Sequence, residues 1–271
     1  SDGNATPRMD SRDFQFILSA GGDYVVQQGD PMLYEIHDWQ VPKRERQGIA
    51  IEVATVFGDE RYVVECAIPF QAGGLHNDNY SSPILENCRF SNNRATSGGG
   101  GMLNTDDSDP VLANCLFTRN KAWNAGGALR NEDGSPKLIN CILYGESTGC
   151  LYPELGNDVY SHPQFSCCNI MSCGGSDAWM ISTGTDDGGN IDEDPLWLDE
   201  GANNFQLLAG SPCIDAGNNI DIYDLDGDAD ITELLPVSLD YYDNPRFADD
   251  PATSDTGNGT APIIDMGVHE F

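Results

Sequence analysis

The run DLDGDADITE at 224–233 places Asp224, Asp226, Asp228, Asp230 and Glu233 on one short stretch. Alternating carboxylates around a glycine can converge on calcium, because a hard cation prefers oxygen ligands. The register departs from that of helix–loop–helix calcium loops: Gly227 stands fourth in the run rather than sixth, and Leu235 occupies the position where such loops carry a glutamate. The same run serves equally as a solvated acidic loop. One other feature could contact a ligand. Arg94 and Lys121 fall at one phase of a repeat described below, which would stack them as a short basic stripe or leave them as solvated turn residues.

Catalytic arrangements are harder to find. A polysaccharide lyase needs a base beside a uronate carboxylate and a cation to neutralise it. A glycoside hydrolase needs two carboxylates about 5–9.5 Å apart. The chain has lysines at Lys43, Lys121 and Lys137 and histidines at His37, His76, His162 and His269, none in a recognisable motif with a carboxylate pair. Asp106-Asp107, Asp186-Asp187 and Asp249-Asp250 are adjacent, and neighbours on a strand point to opposite faces. No catalytic residue is assigned; whether the chain is an enzyme stays open, with the balance toward a non-enzyme.

The elements that would position these residues are set by a repeat. SPILENCRF at 82–90, DPVLANCLF at 109–117, SPKLINCIL at 135–143 and HPQFSCCNI at 162–170 recur every 26 or 27 residues. Such a fixed step is the mark of a solenoid. Leu85, Leu112, Leu138 and Phe165 form one column, Cys88, Cys115, Cys141 and Cys168 a second, and Phe90, Phe117, Leu143 and Ile170 a third. Two-residue spacing on either side of Asn87 implies two short strands whose in/out phase slips at a corner. Asparagine tolerates the left-handed backbone that a corner requires, and its amide can bond the next coil, so Asn87, Asn114 and Asn140 form a candidate ladder. Glycine pairs at 73–74, 100–101 and 126–127 mark another turn, followed by Asn77, Asn104 and Asn131. No stretch has 3.6-residue periodicity. The expected fold is all-β: a right-handed parallel β-helix of about 27 residues per coil, with coils about 4.8 Å apart. A β-sandwich of the same strands would not require columns in register.

Asp and Glu number 44 against 13 Lys and Arg, a net charge of −31. That balance argues against nucleic acid or an anionic membrane as partner, and no apolar run is long enough for a membrane span. Of the nine cysteines, the four in the column read as small buried hydrophobes. Cys150, Cys167, Cys173 and Cys213 are open to pairing.

Three segments are expected: residues 1–71 as a partial sandwich-like segment or N-terminal cap, 72–189 as the coils, and 190–271 as an irregular C-terminal closing module carrying the acidic loop. In the first, Ile49 to Thr55 and Tyr62 to Ile68 read as a hairpin about Gly58-Asp59. With DFQFILSAGGDY at 13–24, GIAIEVATVFGDERYVVECAIPF at 48–70 resembles part of a family-9 carbohydrate-binding module, which implies a sugar-stacking role for Trp39. The repeats resemble those of polymorphic outer-membrane proteins through F-x-x-N at Phe90–Asn93 and Phe117–Asn120 and G-G-A-L at 126–129. NIDEDPLW, FQLLAGSPCIDAGNN and the last 29 residues look like the closing module of large secreted bacterial β-helix proteins. These resemblances imply an extracellular or cell-surface location. The expected function is a monomeric, non-enzymatic scaffold or adhesin that binds a polysaccharide or surface glycan. The alternative is a calcium-assisted polysaccharide lyase or another polysaccharide-degrading enzyme.

Overall fold

The computed structural model describes residues 73–145, 154–223, 239–241 and 244–271. It also gives the backbone of Gln15–Ile17, Val25–Gln27, Val63–Val64, Ala67–Phe70 and Ser147–Thr148. Trp39, the Asp224–Glu233 run and the expected hairpin up to Tyr62 lie outside the described residues.

The chain winds through four parallel sheets, adding one strand to each per coil. Sheet I holds Ile84–Glu86, Val111–Ala113, Lys137–Ile139, Gln164–Ser166 and Thr185–Asp186. Sheet II holds Val63–Val64, Arg89–Ser91, Leu116–Thr118, Ile142–Leu143 and Asn169–Ile170. Sheet III holds Ala67–Phe70, Arg94–Ala95, Lys121–Ala122 and Ser147–Thr148, and sheet IV holds Leu75–Asn77, Met102–Thr105, Leu129–Glu132 and Leu155–Asn157. Among the described residues, parallel pairing is thus present at Val63–Val64 and Ala67–Phe70, upstream of the residue 72 at which the coils were expected to start.

The columns read from sequence are the core. Leu85, Leu112, Leu138 and Phe165 pair in register, as do Phe90, Phe117, Leu143 and Ile170, and all are buried. The rings of Phe90 and Phe117 stack at 4.5 Å between centroids. At the corner between sheets I and II, Asn87, Asn114, Asn140 and Cys167 take φ of 50°, 52°, 54° and 48°. Cys167 thus adopts the left-handed conformation without the amide. The glycine turn has a different cause, close approach: a Cβ on Gly100 would sit 2.5 Å from the Gly127 carbonyl oxygen one coil away.

The amide ladder expected along Asn87, Asn114 and Asn140 forms over one step only, Asn140 Nδ2 donating to Asn114 Oδ1 at 3.2 Å. Asn87 instead donates to the Leu239 carbonyl at 2.9 Å. The continuous ladder is on sheet IV. There Asn77, Asn104 and Asn131 donate in turn to the Oδ1 of the next asparagine at 2.7, 2.8 and 2.7 Å, ending on Asn157.

Cys88, Cys115, Cys141 and Cys168 are buried free thiols. The Sγ of Cys115 and Cys141 donate to the carbonyls of Ala113 and Ile139, both at 3.3 Å. Cys167, Cys173 and Cys213, which the sequence left open to pairing, are also buried and free, while Cys150 is outside the described residues.

Residues beyond the last full coil also pack on its core. Cys173 joins the interior cluster, and Trp179 lies 5.8 Å from the Phe165 ring, so the segment around 171–184 packs on the last coil. The described residues of 197–223 and 239–271 fold back along the side of the solenoid. Leu116 and Ile142 alternate with the inward Phe117 and Leu143 and so point outward, yet Phe205, Cys213, Ile214 and Met266 bury them. Ala113 and Ile139 of sheet I are likewise covered by Ile222 and Ile264. Burying one such aliphatic side chain is worth about 1.5–3 kcal/mol, which ties this flank to the coils. Among the described residues no helix is long and apolar enough to cross a membrane.

Candidate functional site

The flank decides which surface can meet a ligand. It occupies the outer faces of sheets I and II, which leaves the outer faces of sheets III and IV uncovered by it. Arg94 and Lys121 pair in register on sheet III, one coil apart, as their spacing implied. Both are exposed, while the next residues, Ala95 and Ala122, point into the core. Alternation carries Trp123 back to the outside beside Lys121, and it is 78% exposed. Among the described residues neither cation has an ion-pair partner. An indole face and two cations at coil spacing can stack on a sugar ring and bind its oxygens or carboxylates.

A second feature is a hollow of about 310 Å³ on sheet IV, lined by His76, Asp78, Thr105, Asp106 and Glu132 among others. Thr105 Oγ1 donates to Asp78 Oδ1 at 3.0 Å and lies 3.1 Å from His76 Nε2, so its oxygen accepts from the ring. The Asp78 carboxylate beside Asp106 raises the Asp106 pKa, helped by burial and by the charges of Asp133 and Asp107. Burial lowers the His76 pKa against the opposing pull of Asp78, Asp106 and Glu132. Carboxylates of neighbouring coils thus meet beside a histidine in this hollow.

Residues 50–188, just over half of the sequence, match the family model described as right handed beta helix region. The chain belongs to the right-handed β-helix family. No curated protein matches it, and no solved structure does.

In this β-helix the candidates named from sequence separate. Arg94 and Lys121 come together on sheet III, whereas Trp39 and Asp224, Asp226, Asp228, Asp230 and Glu233 lie outside the described residues. The carboxylate cluster that is described uses other residues: oxygens of Asp215, Asp249 and Asp255 lie within 4.8 Å of one another. Trp123 was missed although its signal was present, two residues beyond Lys121 and therefore in the same outward phase. The Asp78–Asp106 contact had a fainter signal. Their separation is one repeat plus one residue, which seats Asp106 beside Thr105, the register partner of Asp78.

Proposed function

We propose that this β-helix is a non-enzymatic, secreted or cell-surface scaffold that binds an extended polysaccharide along sheet III. The observation that carries this reading is the exposed Trp123 beside the Arg94–Lys121 stripe, on a face that the flank leaves uncovered. An exposed indole unsupported by other rings gains most from a partner with an apolar face and a polar edge, which a pyranose supplies. Guanidinium and ammonium groups at the same face add hydrogen bonds to hydroxyl or carboxylate oxygens. The overall charge of −31 disfavours densely charged polymers at long range, so neutral or sparsely carboxylated chains fit best. The repeat motifs at Phe90–Asn93, Phe117–Asn120 and 126–129 support a surface-exposed β-helix, the setting in which an adhesin works.

The test is retention on immobilised neutral and acidic polysaccharides, comparing the wild-type chain with Trp123→Ala and with Arg94→Ala/Lys121→Ala. Trp123→Ala is expected to weaken retention about tenfold, since stacking of this kind is worth ~1–2 kcal/mol, without lowering the melting temperature. Equal retention of all variants, or retention nowhere, would overturn the reading. Steady release of ultraviolet-absorbing unsaturated uronates from pectate or alginate would replace it with the lyase alternative.

A further inference from the structure

Asp215 is out of place by the standards of the rest of the molecule. Its side chain has no accessible surface, and neither carboxylate oxygen has a hydrogen-bond partner. A carboxylate taken out of water without compensation costs several kcal/mol. The surroundings increase that cost: oxygens of Asp249 and Asp255 approach within 4.8 Å. The charges of Asp255, Asp249 and Asp250 add to burial in raising the Asp215 pKa to about 6, and the Asp250 backbone N–H opposes this without reaching hydrogen-bond geometry. Three carboxyl groups therefore share one small volume.

The backbone holds them there. Asp215 itself sits at φ 50°, its N–H donates to Asp265 Oδ1 at 2.8 Å, and its carbonyl accepts from Thr256 and Gly257 at 2.9 and 3.1 Å. Asn258 N–H donates to the Gly217 carbonyl at 2.8 Å. Asp250 does not join the cluster but ties its own turn, accepting from Ala252 N–H at 3.1 Å and Thr253 Oγ1 at 2.7 Å. Two segments, 215–217 and 249–258, are thus fastened side by side, with one carboxylate at the bottom and two exposed ones above it.

The geometry points to a divalent-cation site, best suited to calcium, formed by Asp215, Asp249 and Asp255. All donors are hard oxygens and none is nitrogen or sulfur, which disfavours zinc and copper. Calcium accepts six to eight oxygens at irregular angles, and water can complete its shell on the side where Asp249 and Asp255 are exposed. None of these three residues belongs to the Asp224–Glu233 run. Bound there, the ion joins the 249–258 loop to the strip whose Cys213, Ile214 and Ala216 pack on sheet II, so metal binding reinforces the flank.

The experiment uses the full chain stripped with EDTA, calcium alone as the probe, and calorimetric titration beside thermal melting. Wild type should bind with a dissociation constant on the order of 0.1–1 mM, the range of the weaker protein calcium sites, and melt higher when saturated. Asp249→Asn/Asp255→Asn, which removes two exposed groups with no structural bonds among the described residues, should weaken this binding at least tenfold. Asp215→Asn should abolish it while leaving the stripped protein as stable as the stripped wild type or more so. A purely structural aspartate would give the opposite sign. Asp226→Asn/Asp228→Asn should leave the binding intact. Wild type that shows no calcium effect up to about 10 mM, an Asp249/Asp255 double variant with undiminished binding, or a stripped Asp215→Asn protein that melts lower would each overturn the site.

Discussion

The coils and the flank bury polar groups in opposite ways. In the coils the buried polar groups are mostly neutral and repeat: Asn77, Asn104, Asn131 and Asn157 bond to one another at nearly constant distance, and the thiols of Cys115 and Cys141 bond to equivalent carbonyls. In the flank many of the buried groups are ionisable, and they occur once. Arg246 has no exposed side chain, lies 3.6 Å from Glu270 and donates to the Gly267 carbonyl, and Asp265 and Asp215 lie nearby. A repeating fold can satisfy a polar group with its own copy one coil away. A single pass of chain must find each partner in a different segment, and ionic groups meet that demand because their interactions reach further in a low dielectric.

The sharpest way to break the comparison is to attack the coil interior, where one residue touches its copies above and below. Phe117→Ala removes a fully buried ring stacked on Phe90 and should cost about 3–5 kcal/mol in a denaturant titration. A loss below about 1 kcal/mol would mean that the column is not a packed core. The flank answers to a different variable, pH. Asp265 accepts from the N–H groups of Asp215 and Phe271, which together with Arg246 partly offsets the upward push of burial on its pKa. Burial raises Asp265 to about 7 and Glu270 to about 9. A folded pKa above the unfolded value means that the contribution is whole below about pH 4 and is lost as pH rises through the folded value. One retained proton corresponds to roughly 1.4 kcal/mol per pH unit, so the Glu270 proton alone should lower stability by about 2–3 kcal/mol between pH 5 and 7. Glu270→Gln, which mimics the protonated acid, should flatten that slope; an unchanged slope would show that Glu270 is not the proton carrier.

Legibility from sequence follows the same division. The columns at Leu85, Cys88 and Phe90 could be read because each position appears four times, and the corner at Asn87 was marked by residue type as well as phase. The Arg94–Lys121 stripe was legible for the same reason. What could not be read was any pairing made once. Nothing in the spacing says that Asn87 turns to Leu239, that Trp179 lies under Phe165, or that Asp215 meets Asp249 and Asp255. Leu116 and Ile142 illustrate the point most clearly. Their phase marks them as outward, and the sequence gives no sign that Phe205 and Met266 bury them.

The finest test of the comparison lies within the coils, between the two asparagine columns. Asn104 receives from Asn77 and gives to Asn131, so Asn104→Ala strands a donor and an acceptor in the interior and should cost about 2–3 kcal/mol. Asn114 is equally buried, but its Nδ2 has no partner and its Oδ1 accepts one bond, from Asn140. The flank has diverted Asn87 to Leu239 and left this ladder with one rung. Asn114→Ala should therefore cost only about 1 kcal/mol, much of it from loss of the left-handed preference at φ 52°. Asn114→Gly keeps that conformation and should recover part of the loss, whereas Asn104→Gly should recover none. If both columns proved equally costly, the ladder bonds would not be what separates them, and a self-satisfied coil beside a flank that draws partners away from it would need a different physical basis.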